Sequence, residues 1–191
     1  MRLLSVQCGQ ARPVQAGERR ILTAIHKTAL SAAVAVHKLG LEGDEQADLS
    51  VHGGLEKAVY AYPSEHYPFW QALRAQAGLA QIDTGLAYGS LGENLTLEGL
   101  LEHQVWVGDV LAFPDCSLRV TQPREPCFKF NLALGVNTAV RQMARSGACG
   151  FYLSVERPGS LQAGQSFQLL AGPRRVSIPE RFSAKMFKHL R

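Results

Sequence analysis

Val105-Trp106-Val107-Gly108-Asp109-Val110-Leu111-Ala112-Phe113 is the stretch whose reading decides the fold class. Two apolar, β-rich runs flank Gly-Asp, and glycine supplies the positive φ that a two-residue type II′ turn needs, so the stretch reads as a hairpin. Segments of the same texture recur at short spacing: residues 3–7, 21–27, 58–62 and 93–97 before it, 117–121, 150–155 and 166–170 after it. Each is bounded by Gly, Pro, Asp or Ser, which predicts strands. Helical signals are fewer. Ser64 is placed to cap a helix with Pro68 near its first turn, and Phe69, Trp70, Leu73 and Ala77 share a face until Gly78. Thr138 opens a second helix through Ser146, with Val140, Met143 and Ala144 as its apolar face. Many short strands with few helices predict a mainly β, α+β fold, a barrel or sandwich with peripheral helices.

A chain of 191 residues holds one well-buried core and is short for two full domains. With 46% hydrophobic and 19% charged residues it has a globular balance and not a disordered one. Cys8, Cys116, Cys127 and Cys149 are scattered with no CxxC pair, which argues against a structural zinc site or a disulfide framework. Residues 1–10 lack a long apolar core before a small-residue cleavage site, and the longest mostly apolar run, 29–36, is far below membrane-spanning length. A soluble, reduced, cytoplasmic protein with no membrane association is expected. The net charge of +4 suits anionic small molecules or acidic partners and counts little toward nucleic acid.

The chemistry concentrates in Thr121-Gln122-Pro123-Arg124-Glu125-Pro126-Cys127-Phe128-Lys129-Phe130-Asn131. Pro123 and Pro126 stiffen the approach to Cys127. Arg124 and Lys129 favour its thiolate, the form that ligates metals and attacks electrophiles. A free cysteine is most often a buried structural one. Prolines and cations as neighbours favour a functional thiol here.

Three further segments invite two readings each. In residues 40–57, Asp44, Asp48 and His52 follow at four-residue steps and would line one helix face as metal ligands. The same segment holds Gly43, Gly53 and Gly54 ahead of Lys57, which more naturally offers backbone N–H groups and a cation to a phosphate, while plain turn-capping would use the same residues. In residues 85–97, Gly92 with Glu93 and Asn94 suits close approach to a heterocycle, or equally a bulge at a barrel corner. In residues 60–67, Tyr60 and Tyr62 fall on one strand face beside Glu65 and His66, and either orient a planar substrate or pack a strand-to-helix corner.

Taken in order, Gly43-Asp44 through Val51-His52-Gly53-Gly54, Lys57-Ala58-Val59, Tyr62-Pro63-Ser64-Glu65-His66-Tyr67, Gly92-Glu93-Asn94-Leu95, Gly108-Asp109 and Gln122-Pro123-Arg124-Glu125-Pro126-Cys127 resemble the MOSC domain, named for the C-terminal domain of molybdenum cofactor sulfurases. The resemblance is greatest to its stand-alone bacterial YiiM-type branch and covers most of residues 1–170. It implies a β-barrel-centred α+β domain over residues 1–172 and a short basic helical tail over 173–191, in which 181–191 would open the helical extension that longer members carry.

The resemblance further implies that Cys127 is the protein ligand to molybdenum in a pterin cofactor. Arg124, Lys57 and Lys129 would bind the cofactor, along with His52, Gly53, Gly54, Gly92, Glu93 and Asn94. Tyr62, Glu65 and His66 would orient substrate and deliver protons. The implied reaction reduces N-hydroxylated compounds, such as N-hydroxylaminopurines, hydroxylamines and amidoximes, to amines. With no flavin, haem or iron–sulfur motif in the chain, electrons would come from a separate donor protein of flavin or iron–sulfur type; the basic tail, with Arg174, Arg175, Arg181, Lys185, Lys188 and Arg191, would either dock that donor or seal the barrel end as a solvated amphipathic helix. The oligomeric state stays open, a homodimer included. Two other classes remain: a sulfur carrier with a Cys127 persulfide, and, third, a nucleic-acid-binding barrel, disfavoured because Lys and Arg are spread out.

Overall fold

Alternation builds the central sheet of the computed structural model, which describes residues 1–47, 53–79 and 85–187. The strands are β1 (Arg2–Cys8), β2 (Arg12–Ala16), β3 (Arg19–Thr23), β4 (Thr28–Ala29), β5 (Val34–His37), β6 (Gly40–Leu41) and β7 (Val59–Pro63). After them come β8 (Leu95–Glu98), β9 (Val110–Ala112), β10 (Ser117–Pro123), β11 (Phe151–Arg157), β12 (Gly159–Leu161) and β13 (Gln168–Leu170). The helices are α1 (Tyr67–Gln76), α2 (Phe128–Leu134), α3 (Ala139–Ser146) and α4 (Ile178–Met186). In β10, Leu118 and Val120 are buried while Ser117 and Arg119 lie nearer solvent, the period of two that a half-covered strand requires.

Eight strands form one sheet in the order β13-β9-β10-β11-β7-β8-β1-β4, antiparallel except where β7 runs parallel to β8. The sheet rolls up. An isolated bridge joins Arg2 to Ser166, with Leu3 N–H donating to the Gln165 carbonyl (2.9 Å) and Gly164 N–H to the Leu3 carbonyl (2.7 Å). The mainly β, α+β fold is as expected, but among the described residues no continuous ladder closes the sheet into a barrel; its two ends meet only at this narrow contact. Its interior is filled by Leu3, Leu95, Leu97, Leu118, Phe151 and Leu153, all fully buried. The two-stranded ribbon β2–β3 and the small sheet β12-β5-β6 complete the strands.

Residues 105–113 do not form the expected hairpin. Only Val110–Ala112 is strand, paired with β10 and β13, whereas Trp106 leaves the sheet to bridge Ser177 ahead of α4. The Gly-Asp turn is fastened by the fully buried Asp109 carboxylate, which accepts from Trp106 N–H (3.0 Å) and Gly172 N–H (2.7 Å). Ser64 caps no helix: Ser64–His66 is a 3₁₀ turn, and α1 starts at Tyr67 with His66 as N-cap. Thr138 does sit at the N-cap of α3, without a side-chain capping bond. The tail helix begins at Ile178, three residues before the expected start, because Ser177 and Glu180 form a capping box. Ile178 and Phe182 are buried against the rolled sheet. Among the described residues no helix is long and apolar enough to cross a membrane.

Candidate active site

Cys127 follows the irregular stretch after β10 and stands at the N-cap of α2, half-buried, in an open cleft. The segment leaving β3 supplies Thr23, Ala24, Ile25 and Lys27 to its walls, and the turn after β6 supplies Asp44, Glu45 and Gln46. Lys57, Tyr60, Gly92, Asn94, Arg124, Lys129 and Tyr152 close the rest.

Arg124 is almost fully buried, its guanidinium 4.8 Å from the Tyr60 ring and 4.8 Å from the Phe130 ring, and it donates to the Leu91 carbonyl. The loop is thereby anchored inward, and the charge of Arg124 interacts with the Cys127 sulfur. Lys57 Nζ lies 5.9 Å from the Tyr152 ring. Lys129 Nζ donates to the Leu22 carbonyl at 3.3 Å, tying α2 to the ribbon. Burial pushes the Tyr60 phenol well above its ordinary range, and its hydroxyl donates to the Cys149 carbonyl at 2.8 Å.

On the facing wall, Lys27 and Asp44 form an ion pair with both side chains over nine-tenths buried. Asp44 also accepts from Gly9 N–H (2.8 Å) and from Asn94 Nδ2 (2.9 Å). Asn94 in turn takes the Tyr60 N–H through Oδ1 at 3.1 Å, so one amide joins the acidic wall to β7. Gly92 is needed for packing: a Cβ there would come 2.8 Å from Ile25 Cγ1, and its φ of 86° disfavours any other residue. Gly53 is similarly confined, a Cβ meeting Gln46 Oε1 at 2.0 Å.

Of the residues expected from sequence, Cys127, Arg124, Lys57, Lys129, Gly53, Gly92 and Asn94 converge on this cleft. His52 and Asp48 lie outside the described residues. Gly54 directs its N–H to Gln46 Oε1 (3.0 Å), so this amide is already engaged within the protein. Asp44 belongs to a turn and not to a helix face carrying metal ligands.

Four expected site residues are placed elsewhere. Tyr62 is fully buried, accepting from Trp70 Nε1 (2.5 Å) and donating to the Ala148 carbonyl (3.0 Å). Glu65 accepts from Gly99 N–H (2.6 Å), and His66 Nε2 is 2.7 Å from Glu102 Oε2. Glu93 is fully buried, accepting from Tyr67, Gly89 N–H (2.8 Å) and Thr96 (3.0 Å). Burial raises its carboxyl pKa against the opposing pull of these donors. All four support the scaffold behind the cleft. Sequence reasoning missed Lys27 as a wall residue, along with Ile25 and Tyr152; the Lys27–Asp44 pairing had no local signal.

Among the described residues no group of three or more His, Cys, Asp or Glu could hold a metal ion. A half-buried sulfur beside Arg124, Lys57 and Lys129 suits a metal that arrives already chelated and negatively charged, and the donor set fits a molybdenum–pterin group.

The family model of the MOSC domain matches residues 48–168. YflK of Bacillus subtilis, an uncharacterized protein, is 36% identical over 92% of this chain and 76% of its own length. Protein YiiM of Escherichia coli is 35% identical over 83% of this chain and 68% of its own. A Gibberella moniliformis protein named Reductase is 33% identical over 90% of this chain, which spans only 29% of it. The crystal structure of YiiM from Geobacillus stearothermophilus superposes with a TM-score of 0.75 at 28% identity, covering 98% of this chain and 84% of that one. MOSC domains are a molybdenum-cofactor-binding family, and these relatives support an oxidoreductase of that general kind. The chain belongs to the MOSC domain family and is of the YiiM type.

Proposed function

We propose that this chain holds the molybdenum cofactor in the Cys127 cleft and reduces N-hydroxylated compounds, N-hydroxylaminopurines among them, to amines. The observation that carries it is the convergence of a half-buried thiol with Arg124, Lys57 and Lys129 on one cleft. When bound, the cofactor supplies a two-electron centre at which an N–O bond can be cleaved. The protein's own residues do the rest. Cys127 ligates the metal through Sγ, and Lys57 and Lys129 offset the phosphate charge. Arg124 fixes the loop, and Lys27 holds protons at Nζ on the opposite wall, where Asp44 orients it.

The net change is R–NHOH + 2e⁻ + 2H⁺ → R–NH₂ + H₂O. The electrons come from a separate flavin or iron–sulfur protein, for which the exposed Arg175 and Arg181 beside and on α4 are the proposed docking residues. Raising salt should then slow turnover with a protein donor and leave turnover with a small chemical reductant unchanged.

The test is to purify wild type and Cys127→Ser from a host that makes the cofactor, then measure molybdenum, pterin and conversion of an N-hydroxylaminopurine. Wild type should carry roughly one cofactor per chain and be active, and the variant should have neither metal nor activity. Molybdenum retained by the variant would sink the ligand assignment. Wild type free of pterin but bearing a sulfane sulfur on Cys127 would establish the sulfur-carrier reading instead.

A further inference from the structure

The Cys127 loop is gripped from outside as well as from within. Glu125, two residues before the thiol, is not part of the cleft's lining and pairs with Lys185 near the end of α4. Lys185 Nζ also donates to Gln122 Oε1 at 3.0 Å, so a single ammonium bridges the end of β10 and the loop that leaves it. Pro123 lies between these two contacts and Pro126 follows them, and neither has an N–H with which to hold the loop by backbone bonds.

The helix does not depend on this contact. Ile178 and Phe182 bury its first half, the Ser177 capping box closes its start, and Ile178 N–H donates to the Val105 carbonyl at 2.9 Å. Lys185 sits a full turn beyond Phe182. The asymmetry sets the direction of influence: a helix secured elsewhere steadies the outer side of a loop whose inner side is held by Arg124.

We propose that Lys185 is a positioning residue, holding Glu125 and Gln122 so that Cys127 is presented to the cleft in one geometry. Its role in ligation rests on Cys127 being the metal ligand; its effect on the thiol does not.

The experiment separates positioning from simple electrostatics. Lys185→Met removes a cation near the thiol and Glu125→Gln removes an anion, so a purely electrostatic influence would move thiol reactivity in opposite directions. Positioning predicts the same direction in both. In cofactor-free protein, alkylation of Cys127 by iodoacetamide, followed by peptide mass spectrometry with Cys8 as internal reference, should speed up about fivefold in each variant. That is about 1 kcal/mol, the size of a partly exposed ion pair.

Molybdenum retained after purification should fall in both variants, and the charge-swapped double variant, Lys185→Glu with Glu125→Lys, should restore the wild-type alkylation rate. Opposite changes, or none, overturn the proposal, as does a fall in the thermal unfolding midpoint that the swap fails to reverse. Altered alkylation in a protein that never binds molybdenum would leave Lys185 as the steadying residue and overturn the cofactor reading alone.

Discussion

Cys8 lies outside the cleft that Cys127 lines. Cys8 is half-buried, and burial, assisted by the Asp44 carboxylate and opposed by Lys27, pushes its thiol up to about 11. At pH near 8 its alkylation by iodoacetamide should be on the order of a hundredfold slower than that of a free thiol, read by peptide mass spectrometry. A rate near the free value would mean that the burial is not maintained in solution. Glu93 gives a pH signature. Burial raises its pKa above 4.5, so its contribution is full below that value and is lost as pH rises through the native pKa. Stability should therefore decline from the acid side toward neutrality, and Glu93→Gln should flatten that decline in urea unfolding measured across the range. An unchanged slope would remove Glu93 as its source. Arg124→Lys keeps the charge but loses the planar stack between Tyr60 and Phe130, and should cost about 1–3 kcal/mol of stability in cofactor-free protein.

Among the elements, α4 most clearly combines local sequence and packing. Its start was legible in principle from Ser177-Ile178-Pro179-Glu180, a capping box with proline in the first turn. Ser177→Ala should cost about 1 kcal/mol. Phe182→Ala, which empties a buried site, should cost about 3–5 kcal/mol by chemical denaturation. If the two cost the same, the helix is held by its cap more than by its packing.

The strands were read well where alternation is strong, as in β10 and β11, and where an apolar run is bounded by turn residues, as in β1 and β7, and poorly where two residues pair locally, as in β4 and β6. The meeting of Cys127 with Arg124 and Lys129 in one cleft was legible because these residues adjoin one another in sequence. Tyr62 and Glu93 misled because polarity identifies a residue that needs partners, and whether those partners are a ligand or Trp70 and Tyr67 depends on which helix covers the strand. The Lys27–Asp44 wall was hidden for the same reason, its geometry being set by how the β3 exit meets the turn after β6.

At the scale of the whole molecule, the narrow contact between residues 1–3 and 164–167 should be the weakest line of the rolled sheet. Amide hydrogen exchange at Leu3 and Gly164 should be faster than at Leu118 or Leu153, inside the β10–β11 ladder. Equal protection would show that the sheet opens as one unit.

The cleft has a further consequence, for the order of events as the protein is made. Its walls come from residues near 25, 45, 57, 93, 125 and 152, and the strand carrying Tyr152 pairs with β7 and β10. No shorter nascent chain emerging from the ribosome contains all the walls. Any small molecule bound by that cleft therefore has to be delivered after most of the polypeptide has been synthesised.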